Sequence, residues 1–317
     1  MKSLNVTSLR TRLFLLVILA TVPGLGIIVF SGFEQKVDAI ASSHAQCLTL
    51  IKTLSQDMED TVSATRQMLT TLSMLPEVRR GDKKTCGDLF KEIVKNDPRY
   101  LNVQLFTLEG ISLAAAMPPP PNLDVSDRKY FREALARKAF AAGEFIIGRT
   151  VRRPTFNFAL PVRNEQGDIV AVIQAAIALG RIKDLYDTAL APPGATLTLL
   201  DHKGTILFHT DESDRLIGSQ DDAQLFNDMA ASPRSAKVYS RDVNGLTRIV
   251  AFNSLGLSGD AKPYMYLRLE VPEEAVLSRA HRILVRNLWL MAIVACISGV
   301  AAFLFSRYGI LNRPSNS

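Results

Sequence analysis

Two uncharged apolar runs, residues 13–30 (LFLLVILATVPGLGIIVF) and 288–305 (LWLMAIVACISGVAAFLF), constrain everything that lies between them. Each is long enough to cross the hydrocarbon core of a bilayer as a helix. Lys2, Arg10 and Arg12 precede the first run and Glu34, Lys36 and Asp38 follow it, so the positive-inside rule puts the N-terminus in the cytoplasm. Pro23 and Gly24 soften the run as they would a signal peptide. Its apolar length exceeds a usual signal core, however, and no small-x-small cleavage site follows, which favours an uncleaved anchor. The second run carries Trp289 near one end, where an amphipathic ring suits the interface, and has arginines on both sides. The first run therefore orients it: two crossings return the C-terminus to the cytoplasm and leave residues 34–286, about 250 of them, outside.

Charge argues against a nucleic-acid partner. The formal net charge is +6, from 37 basic and 31 acidic residues. Lys2, Arg10, Arg12, Arg307 and Arg313 lie outside the central region and every acidic residue lies inside it, so that region is nearly neutral. Cys47, Cys86 and Cys296 are too dispersed for a zinc motif. A Cys47–Cys86 disulfide is open in an oxidising compartment, though nothing in the sequence requires it. Gly24-x-Gly26 sits within the first apolar run and is not a nucleotide loop, because no strand precedes it.

Residues 37–75 read as one long helix without Pro or Gly, about 58 Å at 1.5 Å per residue. Val37, Ile40, Cys47, Ile51, Leu54, Met58, Leu69 and Leu72 follow a three-four spacing, interrupted by His44, Thr61 and Thr65. Such a stripe serves as a spine for packed domains, as a dimer seam, or as both at different heights. Pro76 ends it. A short amphipathic helix around Cys86, Phe90 and Val94 stops at Asn96-Asp97-Pro98. Residues 100–107 then alternate, with Leu101, Val103 and Leu105 on one face, and Glu109-Gly110 turns the chain into a second strand.

The stretch SDRKYFREALARKAFAAGEFIIGRTVRRPTFNFALPV, residues 126–162, outlines a pocket wall: a helix capped by Ser126 or Asp127, a short extended run to Arg149, and an aromatic strand. An apolar strand at 169–179 completes a PAS-like order of strands and helices. After a helix at 181–190 and the break Pro192-Pro193-Gly194, a smaller cycle repeats it. Strands at 196–200 and 205–210 flank His202-Lys203-Gly204, a helix covers 222–231, and strands at 237–242 and 247–254 pair around Asn244-Gly245. A last strand at 264–271 leads through Pro272-Glu273-Glu274 into a helix able to run on into the second apolar run.

With these elements in order, the chain resembles the double Cache domain, the tandem PAS-like extracytoplasmic sensor of bacterial chemotaxis receptors, histidine kinases and diguanylate cyclases. The residues that carry the resemblance are Asn96-Asp97-Pro98-Arg99-Tyr100, Asp127-Arg128-Lys129-Tyr130-Phe131, Gly143-Glu144-Phe145 with Gly148-Arg149, Ala159-Leu160-Pro161-Val162, and Pro192-Pro193-Gly194-Ala195. It implies an α+β fold in which a long N-terminal helix supports two PAS-like antiparallel-sheet modules flanked by two transmembrane helices. The expected organisation is a cytoplasmic N-terminus (1–12), transmembrane helix (13–33), spine (34–78), membrane-distal module (79–190), membrane-proximal module (191–272), connecting helix (273–286), second transmembrane helix (287–306) and cytoplasmic tail (307–317). The implied location is the bacterial inner membrane.

The resemblance further implies a ligand in the distal module, with Arg128 and Tyr130 as donors and Phe131 as a wall. Arg149, Asn157 and Tyr100 complete the expected set, Arg128 and Tyr130 ranking ahead of Arg149. Alternation sends Phe156 and Phe158 to one face and Asn157 to the other. The rival role for Arg128 is a salt bridge to Asp127 or Glu144 that merely fixes the loop. Amino-acid-binding members place an acidic residue on the last strand of this module, where Ala176 aligns here, so a small carboxylate fits better than an amino acid. The tail Leu311-Asn312-Arg313-Pro314 resembles the start of a HAMP linker with no effector after it, so a kinase, cyclase or methyl-accepting module belongs to a partner or to a longer chain.

The leading expectation is therefore a membrane-anchored sensor input, homodimeric through the spine, with no metal or cofactor. A scaffold with a degenerate pocket is the alternative. An enzyme is disfavoured: His44, His202, His209 and His281 are dispersed, no nucleophile motif is present, and His209 with Asp211, Glu212 and Asp214 reads as a solvated loop.

Overall fold

The computed structural model describes residues 9–180, 183, 186–187, 191–210, 213–232, 237–243, 246–260 and 262–308. Most of the helix expected at 181–190, the Asn244-Gly245 turn, Asp211 and Glu212, and the tail from residue 309 lie outside the described residues. The chain divides into two compact units, one made of Met1–Ser43 with Glu273–Ser317 and the other of His44–Pro272.

The first unit holds the two apolar runs. Helix α1 (Leu9–Met74) enters from it and passes through Pro23 without a break. Both helices of this unit are long and apolar enough to cross a membrane. Leu16, Leu19, Ile27 and Phe30 on the first run, and Trp289 and Ile297 on the second, point outward, as lipid-facing side chains do. Gly24 and Gly32 face Met291 and Leu284: a Cβ at either glycine would lie 2.6 Å from the opposing side chain. The missing side chains let the two helices approach closely.

In the second unit α1 continues from His44 as the spine. Its buried positions Cys47, Ile51, Leu54, Met58, Val62, Thr65, Leu69 and Leu72 keep the three-four spacing. Thr65 is not an interruption as expected, because its hydroxyl meets the Tyr100 hydroxyl at 3.2 Å within the packed stripe. Two short helices follow, α2 (Pro76–Arg80) and α3 (Lys83–Asn96). Proline starts α2, Gly81 in the left-handed conformation ends it, and the Asp82 carboxylate caps α3 by accepting from the Lys84 and Thr85 amides, each at 3.2 Å.

Strands β1 (Tyr100–Phe106) and β2 (Ser112–Ala115) then form a hairpin. Helix α4 (Lys129–Arg137), β3 (Ala141–Ala142), β4 (Ile146–Ile147), β5 (Pro154–Arg163) and β6 (Ile169–Ile177) complete the first sheet. Its order is β2-β1-β6-β5-β3, with β4 beside β5. The second sheet contains β7 (Thr196–Asp201), β8 (Ile206–His209), β9 (Lys237–Val243), β10 (Leu246–Leu255) and β11 (Met265–Pro272), in the order β8-β7-β11-β10-β9. The five strands along the path of the first sheet find counterparts in the second, and β4 has none. Helices α5 (Ser213–Leu216) and α6 (Ala223–Ala230) fall between β8 and β9, and α7 (Glu273–Tyr308) begins directly after β11.

One expectation needs correction, and one point the sequence left open is answered. Helix α4 is preceded by Arg128 at its cap position with no side-chain cap, because the Asp127 carboxylate binds Arg149 instead. Cys47 and Cys86 are both buried, and no disulfide joins them. Burial and the nearby Asp82 and Glu77 push the Cys86 thiol up to about 11, so it is neutral at ordinary pH.

The second sheet packs α6 over Leu200, Ile206, Phe252 and Tyr266. Beside this cluster Arg268 is buried with two carboxylates: Asp221, whose Oδ1 lies 2.8 Å from Nη2, and Glu270, whose Oε1 lies 2.7 Å from Nε. Removing one partner from a buried ion pair strands the other charge. Asp221→Ala should therefore cost about 3–5 kcal/mol, read as a shifted denaturant midpoint. Asp88→Ala, which breaks the solvent-exposed Asp88–Lys91 pair, should leave that midpoint essentially in place.

Candidate functional site

The first sheet, α4 and the loops around them enclose a cavity of about 340 Å³ including its mouth. The space open to the centre of a water molecule is about 20 Å³, room for one or two waters. Local turn chemistry sets the walls. Gly110 adopts φ 90° at the β1–β2 turn, and a Cβ there would lie 2.7 Å from the Ser126 amide nitrogen. Only glycine admits this approach. The close packing, with the Val125 amide donating to the Gly110 carbonyl at 3.0 Å, brings the segment before α4 to the rim. Gly143 does the same on the other side, its amide donating to the Asn157 carbonyl at 2.8 Å where a Cβ would lie 2.9 Å away.

Strand register sets the floor. Asn102 of β1, Ala176 of β6 and Asn157 of β5 form one cross-strand row, and Gln104 of β1 faces Gln174 of β6 in the next. All five line the cavity. The intervening residues Val103, Phe158 and Ala175 point to the opposite, buried face, as a period of two requires. Phe156 and Phe158 lie there with Tyr264, and Phe158 stacks on Phe140 at 5.3 Å. The expected separation of these phenylalanines from Asn157 is what the strand shows.

Arg128, Tyr130, Arg149 and Asn157 all line the cavity. Burial pushes the Tyr130 phenol up to about 12 and keeps it a neutral donor, with the nearby Asn157 amide acting against that rise. Thr155 Oγ1 donates to Asn157 Oδ1 at 3.0 Å. The two arginines differ. Arg149 is bound bidentately by Asp127, at 2.8 Å for each bond, and also donates to the Asp124 carbonyl. The hydrogen bond from Arg149 holds the Asp127 carboxyl below its ordinary range, and Asp127 in turn raises the guanidinium. Arg128 has only a 3.9 Å approach of its Nε to Asp127, and its side chain is 20% exposed. Glu144, the other expected partner of Arg128, instead meets Lys203 at 2.6 Å.

Phe131 and Tyr100 do not line the cavity. Phe131 follows Tyr130 by 100° around α4, which turns it into the core against Phe106, with ring centroids 6.3 Å apart. Tyr100 is turned by a register irregularity between Tyr100 and Asn102: it pairs with Ile177, on the spine-facing side of β6, and so reaches Thr65. Leu101 is the extra residue of that bulge and does not belong to one regular face with Val103 and Leu105. Asn102, Gln104 and Gln174 carry no motif, yet they build the floor. The available signals are the alternation of β1, whose polar residues oppose Val103 and Leu105, and a lone glutamine in the apolar β6 sequence IVAVIQAAI.

Comparison with known proteins agrees with this architecture. The Cache domain family model dCache_1 matches residues 34–280. The chain is 22% identical over 218 residues to sporulation kinase D of Bacillus subtilis (strain 168), covering 67% of this chain and 42% of that kinase. It thus spans less than half of that relative. Among solved structures, the extracellular domain of rpHK1S-Z16, assigned as a histidine kinase, aligns with a TM-score of 0.64 at 24% identity, covering 75% of this chain and 98% of that one. The ligand-binding domain of the Pseudomonas fluorescens chemoreceptor CtaA, in complex with L-isoleucine, aligns at 0.58 and 15%, covering 78% and 99%. That of the Pseudomonas aeruginosa PAO1 amino-acid chemoreceptor PctB, in complex with L-Gln, aligns at 0.56 and 16%, covering 72% and 90%. With its family matched over most of its length and its tandem sheets in this order, the chain belongs to the Cache domain family.

Proposed function

We propose that the cavity of the first sheet binds a small anionic ligand, and that the chain is an extracytoplasmic sensor input in the bacterial inner membrane. The observation that carries this reading is the charge of the lining: Arg128 and Arg149 are its ionisable cations, and no carboxylate side chain is among its described residues. An anion entering the cavity meets Arg128, whose engagement with Asp127 is weak, then the neutral Tyr130 hydroxyl and the Asn157 amide. Chemoreceptors of similar fold bind amino acids. Here Ala176 occupies the middle of the polar row between Asn102 and Asn157, so an ammonium group would enter without a counter-charge. That favours carboxylates lacking an amine.

Arg149 and Asp127 form a clasp at the mouth, beside the outer groove lined by Pro120, Asn122 and Asp124. Ligand binding that opens this clasp or draws α4 inward shifts two arrangements of the sensor to the extent that it prefers one of them. In this reading the shift passes through the spine and α7 to the membrane helices of a homodimer, and a kinase, cyclase or chemoreceptor module supplies the output. The small free space favours the second reading, a scaffold with a closed pocket, in which no carboxylate binds.

The full chain in detergent, screened by thermal shift against small carboxylates, should gain about 2.7 kcal/mol at a hundredfold excess over the dissociation constant. Arg128→Ala should abolish the gain while remaining folded; a well-folded wild type that responds to no carboxylate favours the scaffold. The clasp has its own signature. Because the folded Asp127 carboxyl titrates below its unfolded value of about 3.9, its stabilisation is complete above that pH and is lost as pH falls through the lower folded value. The Tm difference between wild type and Asp127→Asn should therefore be constant from pH 7 to pH 5 and shrink as pH is lowered towards 3.

A further inference from the structure

The floor of the cavity contains an unfinished hydrogen-bond pair. Gln104 is 4% exposed and Gln174 2%, and they face each other across β1 and β6. The Gln174 Nε2 amide donates to Gln104 Oε1 at 3.4 Å, a long contact, which leaves Gln104 Nε2 and Gln174 Oε1 both buried and without a partner. Exchanging the oxygen and nitrogen of both amides reverses the bond and leaves the same remainder, one donor and one acceptor. Buried amides are seldom left this way, because the desolvated group forfeits its hydrogen bond to water. Both residues line the cavity, so the missing partners lie on its side.

Resting on the anionic-ligand reading above, we infer that the ligand carries, besides its carboxylate, an uncharged group that both donates and accepts, such as a primary amide, read by Gln104 and Gln174. The side-chain carbonyls of the two floor asparagines are already engaged: Asn102 Oδ1 accepts from the Met117 amide at 3.2 Å and Asn157 Oδ1 from the Thr155 hydroxyl at 3.0 Å. An ammonium would satisfy the acceptor but oppose the free Nε2 donor. A second carboxylate would satisfy the donor and confront the acceptor, and a methyl would satisfy neither. An amide presents its N–H to one glutamine and its C=O to the other. The glutamine pair thus selects by polarity where the arginine selects by charge.

The test uses four probes of equal chain length on the full chain in detergent: succinamate, succinate, 4-aminobutyrate and butyrate, with affinities read by calorimetry and thermal shift. Succinamate should bind at least about tenfold tighter than the other three, the factor that one neutral hydrogen bond of ordinary net strength contributes. Gln174→Glu, which replaces the neutral acceptor by a charge, should shift the preference to 4-aminobutyrate. Gln174→Met, close in volume and without polar groups, should reduce succinamate to the affinity of butyrate and serves if the glutamate variant fails to fold. Equal binding of succinamate and butyrate to wild type, or a preference for succinate or 4-aminobutyrate, overturns the amide inference and leaves the carboxylate reading standing. No binding of any of the four overturns the carboxylate reading, and this inference with it.

Discussion

The register of β6 between β1 and β5 is the constraint on which the rest of the first module depends. A strand presents alternate residues to opposite faces, so one register sends Gln174 and Ala176 to the cavity and Ile173, Ala175 and Ile177 to the buried side. A slip by one residue would exchange these sets, placing a glutamine against the aromatic layer of Phe156, Phe158 and Tyr264 and opening the cavity floor to isoleucines. The apolar side fixes the register, and the polar floor follows from it. The bulge at Leu101 falls at the start of β1, where it delivers Tyr100 to Thr65 on the spine.

The two sheets share one strand order but have dealt differently with the space between sheet and helix. In the first, the central strands place neutral amides and an alanine there, and charge arrives only from the rim through Arg128 and Arg149. In the second, the central strand β11 carries Arg268 and Glu270 itself, and Asp221 closes on the arginine from the segment before α6. Phe226, packed edge to face on Tyr266 at 5.4 Å, fills more of the volume. A buried arginine with two carboxylates satisfies its own charge and has little left to offer a ligand, which is why the proposed ligand site lies in the first sheet rather than the second.

The walls of the first cavity also reach the second module. The segment after Gly143 docks there, with the Phe145 amide donating to Asp201 Oδ2 at 3.1 Å and Glu144 pairing with Lys203 at 2.6 Å. Asp201 is itself committed to the β7–β8 turn through the Lys203 and Thr205 amides. The far end of α4 reaches Asp260 through Arg137. Helix α4, which follows Arg128, and the segment that carries Ile146 are thus each tied at one end to the cavity and at the other to the second module.

The sequence by itself determined the two membrane-length runs, the unbroken spine, the order of the main strands in both sheets, and the separation of Phe156 and Phe158 from Asn157. These follow from local rules, namely periods of 3.6 and 2, proline breaks and glycine turns, each read within a few residues. It also pointed to Arg128, Tyr130, Arg149 and Asn157 through their resemblance to a family. Only the tertiary structure decided that Asp127 serves Arg149 rather than α4, that Tyr100 and Phe131 turn away, and that Gln104 meets Gln174. The physical reason is distance along the chain. Gln104 and Gln174 are 70 residues apart and Arg149 and Asp127 are 22 apart. Their pairing is set by strand register and loop closure, which no local pattern encodes.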